Sequence, residues 1–301
     1  MNAVIPDRAR GERLDKVLAS VFPPYSRSQL QLWIRQGRIT IHGRIPHGRE
    51  LVSGGEAVRL EVPRPDPVAW QPQDLPLELV YEDADILVID KPAGVVVHPG
   101  AGNPDGTLAN AILYHFPELA ALPRAGLVHR IDKGTTGLLV VARNEHARSK
   151  LIRALECHAV SRCYLAVVDG IPISGGTLDQ PIGRHPRNRL RMAVNPNGKP
   201  AVTHYRVEEK FRAHALISVE LETGRTHQIR VHLSKAGYPL VGDVLYGRRL
   251  RIPAGASGKF AEILRGFKRQ ALHARSLTLT HPRTGKSLNW KSPVPPDLAQ
   301  L

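Results

Sequence analysis

The chain has 301 residues, which is enough for about two domains with a sizeable core. Its 42 lysines and arginines outnumber its 27 aspartates and glutamates, giving a formal net charge of +15 and a pI of about 10.3, so the partner it favours is a polyanion such as nucleic acid. The sequence contains no run of 18 apolar residues and no apolar stretch of signal-peptide length near its N-terminus, so we expect a cytoplasmic protein without a membrane partner.

Two short helices are predicted at the start of the chain. Apolar residues recur at helical spacing from Leu14 to Phe22, and the pattern ends at Pro23-Pro24. Ser26 and Gln29 then form a capping box for a second helix, and Gly37 is placed to end it.

Two short strands are predicted after these helices, because residues 39–41 and 57–62 alternate apolar and polar side chains. The pattern of helices and strands over residues 12–62 resembles the S4 RNA-binding module, which lays a basic helical face on the RNA backbone. The residues of this face that we expect to contact RNA are Arg27, Arg35 and Arg38. The plainer alternative is a small domain whose arginines only keep it soluble.

A second, larger domain is predicted beyond a proline-rich linker at residues 63–77. Residues 78–293 alternate strand-like and helix-like segments, which favours one mixed domain. Its strands are predicted at residues 86–89, 138–141, 162–168, 203–207 and 216–221. Its helices are predicted to begin at Thr107, Asn144 and Thr226.

The tract from His129 to Gly137 is the most informative part of this domain. Asp132 stands there between Arg130 and Lys133, in a loop that leads into the apolar residues 138–141. A buried strand would fix the base of such a loop and aim the carboxylate, which is how reactive groups are often mounted. A loop carboxylate paired with a neighbouring cation for solubility is the alternative from these residues alone.

Two sequence motifs that could bind a cofactor lack the residue spacing that such binding requires. Cys157 and Cys163, with His158, match none of the usual zinc patterns. Gly285-Lys286-Ser287 lacks the preceding glycine that a phosphate-binding P-loop needs. These motifs therefore imply no bound nucleotide or metal.

Four segments of the larger domain match one family in order and spacing. They are IDKPAG at residues 89–94, HRID at 129–132, RCY at 162–164 and GRTHQIR at 224–230. Together they resemble the signature blocks of the RluA-type pseudouridine synthases, and with GKPAVTHY at 198–205, RQALHA at 269–274 and the S4-like module the resemblance covers nearly the whole chain. It implies an α+β fold, in which the small module is joined to a mixed, mainly antiparallel β-sheet domain with flanking helices.

The resemblance also implies a chemistry, the isomerisation of uridine in RNA without a cofactor. By analogy Asp132 is the catalytic aspartate, Tyr164 is the aromatic residue that stacks on or deprotonates the base, and Arg225 holds Asp132. These residue types suit the reaction, because an opposed arginine keeps a carboxylate ionised and fixes its direction. Whether Asp132 attacks the sugar or removes a proton from it is open at this stage.

The RNA must also be held with its target base unstacked. His129 and Arg130 are predicted to act as wedges in the vacated space. Gln228 and Arg230 are predicted either to contact RNA or to support the residues that do. The arginine-rich stretch after Pro181 is expected to track RNA phosphates through Arg187, Arg189 and Arg191, with solubilising charge as the alternative.

Two other classes of protein compete with this prediction. A glycoside- or base-cleaving hydrolase normally uses two carboxylates, and no second acid accompanies Asp132 in its loop. A catalytically silent RNA-binding or assembly factor would have little need for Asp132, Tyr164 and Arg225. Within the family, the resemblance points to an enzyme of large-subunit ribosomal RNA that acts on the helix 69 stem-loop, free or in a pre-ribosomal particle, with a related large-subunit site as the main alternative. We expect a monomer.

Overall fold

The computed structural model describes residues 1–23, 25, 27–62, 70–100, 102–188 and 190–301, and of Ser28 it describes the backbone alone. The described chain forms two compact units, Met1–Asp66 and Pro67–Leu301. Four predicted features fall outside the described residues: the helix stop at Pro24, the capping residue Ser26, the linker residues 63–69 and the RNA contact Arg189.

The first unit packs two helices with a small antiparallel sheet. Its strands are β1 (Asn2–Val4), β2 (Ile39–Ile41) and β3 (Ala57–Leu60), and its helices are α1 (Leu14–Val21) and α2 (Arg27–Arg35). β3 is the central strand and pairs with both others. The apolar positions that predicted the two helices are buried together, including Leu14, Leu18, Leu30 and Trp33. β1 was not among the predicted strands.

A buried carboxylate joins the two helices of this unit. Asp15 of α1 is fully buried and accepts hydrogen bonds from Arg13, Arg27 and Gln31, with the Arg27 Nη2 to Asp15 Oδ2 distance at 2.9 Å. Burial alone would raise the pKa of Asp15, but the hydrogen bonds from these side chains outweigh it and lower the pKa to about 2. Arg27, predicted as an RNA contact, therefore also holds α2 to α1.

Replacing Asp15 with asparagine should destabilise the first unit by about 1–2 kcal/mol near neutral pH, because Asp15 loses its charge-assisted hydrogen bonds while the two arginines stay half exposed to solvent. The folded pKa near 2 lies below the ordinary value of 3.8, so the carboxylate stabilises the fold above about pH 4 and this contribution is lost as the pH falls through 2. Urea unfolding of both proteins at several pH values measures the effect. A stability difference that stays constant from pH 6 to pH 2 would contradict this assignment.

The second unit is built on a nine-stranded sheet. In chain order its described elements are β4 (Leu79–Glu82), β5 (Ile86–Lys91), α3 (Leu108–His115), β6 (Thr136–Ala142), α4 (Glu145–Glu156), β7 (Ser161–Asp169), β8 (Gly176–Asp179), β9 (Ile182–Arg184), β10 (Met192–Val194), β11 (Val202–Lys210), β12 (His214–Leu221), α5 (Gln228–Lys235), α6 (Gly258–Gly266), β13 (Leu272–Thr280), β14 (Ser287–Lys291) and α7 (Pro296–Ala299). The strand order is β4-β5-β6-β13-β7-β12-β11-β8, with β14 on β13, while β9 and β10 form a separate hairpin.

The sheet is mixed and mainly antiparallel, as the resemblance implied. Among the described strands, β6 and β13 are the one parallel pair, and they meet directly after the Asp132 loop. Gly137 lies at this contact with φ +105°, and a Cβ there would collide with the backbone of Ala274. A glycine is therefore required where the two strands approach most closely. This contact fixes the end of the loop.

Two boundaries differ from the predictions. α5 begins at Gln228 rather than near Thr226, because His227 adopts a left-handed conformation with φ 57° and serves as its N-cap. Residues 70–77, predicted as a spacer, lie against the second unit: Asn110 donates to the Gln71 carbonyl oxygen, and Leu77 packs on the main core. Within the described ranges, no helix is both long and apolar enough to cross a bilayer.

Candidate active site

The loop that carries Asp132 is held from two sides by other segments. The Gly94 backbone N–H donates to the Lys133 carbonyl oxygen at 2.8 Å. From the other side, Arg269 donates to the Gly134 carbonyl oxygen and Gln270 donates to Thr135 Oγ1. The IDKPAG and RQALHA segments therefore both hold residues 133–135, which directly follow the carboxylate-bearing Asp132.

Lys91, at the end of β5, anchors the same loop from the interior. Its side chain is fully buried, and Nζ donates to the carbonyl oxygens of Pro92 at 2.7 Å, Val95 at 2.9 Å and Lys133 at 3.3 Å. Burial lowers the pKa of Lys91 to about 7, although the nearby Asp132 carboxylate opposes this shift. The three carbonyl acceptors match the three donors of an ammonium group.

Asp132 is paired with Arg230, which is itself paired with a second carboxylate. Arg230 Nη1 donates to Asp132 Oδ2 at 2.9 Å. Its Nε and Nη2 donate to Asp243 in a bidentate arrangement, at 2.7 and 2.9 Å. Asp243 is fully buried and accepts two further backbone N–H groups. Burial would lower the pKa of Arg230, but the two carboxylates outweigh it and raise the pKa, so the guanidinium is permanently charged.

The predicted arginine partner of Asp132 was therefore wrong. Arg225 donates its Nε–H to the Pro200 carbonyl oxygen at 3.0 Å, and its side chain borders the cleft. It stands in the turn before α5, whereas Arg230 lies in the first turn of that helix and points back to Asp132. Both arginines belong to the GRTHQIR segment, so the segment was identified correctly but the arginine within it was not.

Tyr164 lies on β7 and borders the same cleft as Asp132. It is 5% exposed, and burial raises its pKa, so the phenol is protonated near neutral pH. A protonated ring on the cleft wall suits stacking on a base better than removing a proton from it.

His129 and Arg130 occupy different positions despite being neighbours. His129 accepts the Val140 backbone N–H at Nε2 at 3.0 Å, and burial lowers its pKa to about 3, so the ring is neutral and tied to β6. His129 therefore supports the loop, and it also borders the cleft in which the predicted wedge would act. Arg130 is exposed and borders the cleft, so the structure leaves it free to act as predicted.

Gln228 is a structural residue and not an RNA contact. Its Oε1 accepts from Thr223 Oγ1 and from the Arg225 backbone N–H, and its Nε2 donates to the Val202 carbonyl oxygen and to Thr203 Oγ1. These four bonds use the full capacity of a glutamine side chain. Gln228 therefore ties the turn before α5 to β11. Arg230 is likewise committed to its two carboxylates rather than to RNA.

Asp132, Arg230, Tyr164 and Arg130 all border one open cleft with a volume of about 590 Å³. Asp132 is 14% exposed, with Oδ2 occupied by Arg230. Its other oxygen, Oδ1, lies 4.0 Å from His227 Nε2, which is beyond hydrogen-bond distance. The cleft thus offers one carboxylate oxygen to a reactant and holds the other in place.

The remaining predicted RNA contacts fall into two groups. Arg35, Arg38 and Arg187 are exposed, as a phosphate contact requires. Arg191 is partly buried, with its guanidinium carbon 5.1 Å from the centre of the Tyr246 ring. Arg191 therefore packs on Tyr246 in addition to its predicted contact with RNA.

One group of side chains in the described residues has the composition of a metal site. Asp83, Asp85 and His281 lie close together, but their polar atoms are occupied. His281 Nδ1 accepts the backbone N–H groups of Arg283 and Thr284, so Nε2 carries the proton and donates to Asp83 at 2.9 Å. Asp85 binds the Arg283 guanidinium through both oxygens. The group is a network of ion pairs rather than an open metal site.

Four site residues were not predicted: Lys91, His227, Asp243 and Tyr246. Lys91 and His227 lie inside two of the segments that carry the family resemblance, but the sequence did not reveal which residues they contact. Asp243 and Tyr246 lie in GDVLYG at residues 242–247, which pairs with the site only after the chain has folded. An aspartate and a tyrosine between two glycines were the one signal available.

Comparisons with known proteins identify the family of the chain. The model of the RNA pseudouridylate synthase family matches residues 85–235, and that of the S4 domain matches residues 12–55. The chain is 55% identical over 299 residues to "Ribosomal large subunit pseudouridine synthase D" of Pseudomonas aeruginosa, covering 99% of this chain and 93% of that protein. It is 54% identical over 299 residues to the protein of the same name in Xanthomonas campestris pv. campestris, covering 99% and 90%. The solved structure "Human RNA Pseudouridylate Synthase Domain Containing 1" superposes with a TM-score of 0.57 at 28% identity, over 73% of this chain and 84% of that one.

Proposed function

Because the chain belongs to the RNA pseudouridylate synthase family, we propose that it converts uridine to pseudouridine in large-subunit ribosomal RNA, with the helix 69 stem-loop as its target. The names of its relatives support the choice of RNA, and the S4 domain match supports an RNA substrate. The formal net charge of +15 further supports an RNA substrate, because a basic protein favours a polyanionic partner.

The proposed chemistry rests on one observation, which is how the two oxygens of the Asp132 carboxylate are placed. One oxygen is fixed by Arg230, and the other faces an open cleft beside Tyr164. Such a group can attack C1′ of the ribose or take a proton from the sugar, and both roles need an ionised, directed oxygen. In the reaction the bond from C1′ to N1 of uracil breaks, the base turns, and C5 bonds to C1′. C5 then loses its proton and N1 gains one, directly or through solvent, so the composition of the base is unchanged.

The geometry also excludes Asp243 as the second acid of a glycoside hydrolase. Such an enzyme needs a second carboxylate that reaches the substrate. Asp243, which shares Arg230 with Asp132, is fully buried and receives four hydrogen bonds, so it cannot serve as that second acid.

The test is to incubate the purified protein with a helix 69 transcript and with full-length large-subunit RNA. Pseudouridine is an isomer of uridine, so the proposal expects constant RNA mass together with new carbodiimide-reactive positions. Loss of a base would indicate a hydrolase, and unchanged RNA in both substrates would indicate a binding factor. Mapping the ribosomal RNA of a strain that lacks the protein would then identify the modified uridines.

The proposal includes a monomer that works in the cytoplasm without a membrane, metal or nucleotide cofactor. Light scattering of the eluting protein tests the monomer. Activity after dialysis against a chelator tests the independence from metal, and a stable dimer or a metal requirement would require these parts to be revised.

The S4 module should bind RNA mainly through phosphates. Replacing Arg35 and Arg38 with glutamine should weaken RNA binding and flatten the slope of log affinity against log salt by about 0.7–0.9 for each lost contact. Turnover at saturating RNA should not change, because neither residue lies in the catalytic unit. Arg59→Gln is the matched control, since Arg59 is already paired with Glu61 at 3.0 Å. An unchanged slope would show that the two arginines serve only solubility.

A further inference from the structure

Tyr246 is a buried tyrosine that was not among the predicted site residues. Its ring contacts two arginines that were, Arg230 and Arg191. Tyr246 is 5% exposed, and its ring centre lies 5.0 Å from the guanidinium carbon of Arg230 and 5.1 Å from that of Arg191. Its hydroxyl lies 2.8 Å from His227 Nδ1 and 2.7 Å from the Met192 backbone nitrogen. Nothing in the chemistry described above uses this hydroxyl.

The hydroxyl determines which nitrogen of His227 carries the proton. The Met192 backbone N–H can only donate, so it occupies an acceptor position of Tyr246 Oη. Within the described residues, His227 Nδ1 is then the acceptor available to the hydroxyl proton, and a buried hydroxyl proton without a partner would be unfavourable. Burial lowers the pKa of His227, despite the opposing effect of Asp132, so the ring is neutral near pH 7. Its single proton is therefore on Nε2.

The position of that proton matters because of what it faces. His227 Nε2 lies 4.0 Å from Asp132 Oδ1, the oxygen that Arg230 leaves free. A proton on Nε2 presents a hydrogen-bond donor beside this oxygen, whereas a lone pair there would repel it. The gap exceeds a hydrogen bond by about 1 Å, so the donor can turn to a substrate oxygen that enters next to Asp132.

We propose that Tyr246 is a positioning residue, whose hydroxyl fixes His227 in the Nε2–H form so that this donor faces the reactive oxygen of Asp132 and the ribose or base bound there. This inference rests on the proposed function for the identity of the reactant. It also links the site to the β9–β10 hairpin, because the same hydroxyl binds the Met192 backbone at the start of β10 and the same ring contacts Arg191.

The first measurement reads the tautomer directly. Nitrogen–proton correlation spectra of protein with ¹⁵N-labelled histidine distinguish the protonated ring nitrogen from the bare one, and the signals that disappear in His227→Gln identify His227. The proposal expects Nε2 protonated and Nδ1 bare in the wild-type protein, and a mixture of both forms in Tyr246→Phe. A wild-type ring protonated at Nδ1 would overturn it. This measurement requires no activity, so it stands apart from a failure of the proposed function.

The second measurement separates positioning from binding. Tyr246→Phe keeps the ring beside Arg230 and Arg191 and removes only the hydroxyl, so kcat for pseudouridine formation should fall about tenfold while KM changes less than about threefold. Tyr114→Phe, a change on an exposed tyrosine of α3, is the matched control and should leave both constants unchanged. Wild-type kcat in a Tyr246→Phe protein with an unaltered melting temperature would overturn the positioning role.

Discussion

Asp132→Asn should abolish pseudouridine formation, with a fall in kcat on the order of 10³-fold or more. Asparagine keeps the shape of the side chain and can still accept a hydrogen bond from Arg230, but it has neither the charge nor the basicity to attack or deprotonate the sugar. The loop should keep its conformation, because Lys91, Arg269 and Gln270 hold it through other atoms. Single-turnover assays with saturating RNA measure the effect.

The matched control for this variant is Asp105→Asn, which changes an exposed aspartate of the same unit. RNA affinity should be the same in both variants and in the wild-type protein. The melting temperature of Asp132→Asn should fall by no more than about a few degrees, because Arg230 keeps Asp243 as its counter-charge. Substantial turnover by Asp132→Asn under these conditions would remove Asp132 from the mechanism.

Arg230→Lys should lower kcat by about 100-fold or more, whereas Arg225→Ala should lower it by less than about tenfold. Lysine keeps the positive charge but lacks the planar fork, so it cannot hold Asp132 and Asp243 together. Arg225 contributes one hydrogen bond to a backbone carbonyl at the border of the cleft, so its loss should affect KM more than kcat.

Arg230→Ala is the harsher test of the same contact. It leaves the fully buried Asp243 without its counter-charge, and the free energy of unfolding should fall by about 3–5 kcal/mol. The melting temperatures of all three variants distinguish a folding defect from a catalytic one. If Arg225→Ala lowered kcat more than Arg230→Lys, then Arg225 would be the arginine that holds Asp132 during catalysis, as the family resemblance implied. The pairing of Asp132 with Arg230 would then not be the catalytic one.

The sequence by itself determined several of the elements and the reactive loop. Apolar periodicity located α1, α2, β5, β7 and the helix after Asn144, because burial of one face imposes a spacing that is visible along the chain. The Asp132 loop was recognisable for the same reason, since a polar Gly- and Thr-containing tract led into the buried strand β6. The family could also be recognised, because its four short segments keep their order and spacing.

The tertiary structure alone decided which side chains meet. Arg225 and Arg230 are both plausible partners of Asp132 by sequence, but α5 begins only at Gln228, and this start directs Arg230 into the site and leaves Arg225 in the turn. Asp243 and Tyr246 reach the site from another part of the chain, so no local pattern could reveal them. Local sequence specifies backbone conformation and burial, whereas the pairing of charges depends on distances that exist only after folding.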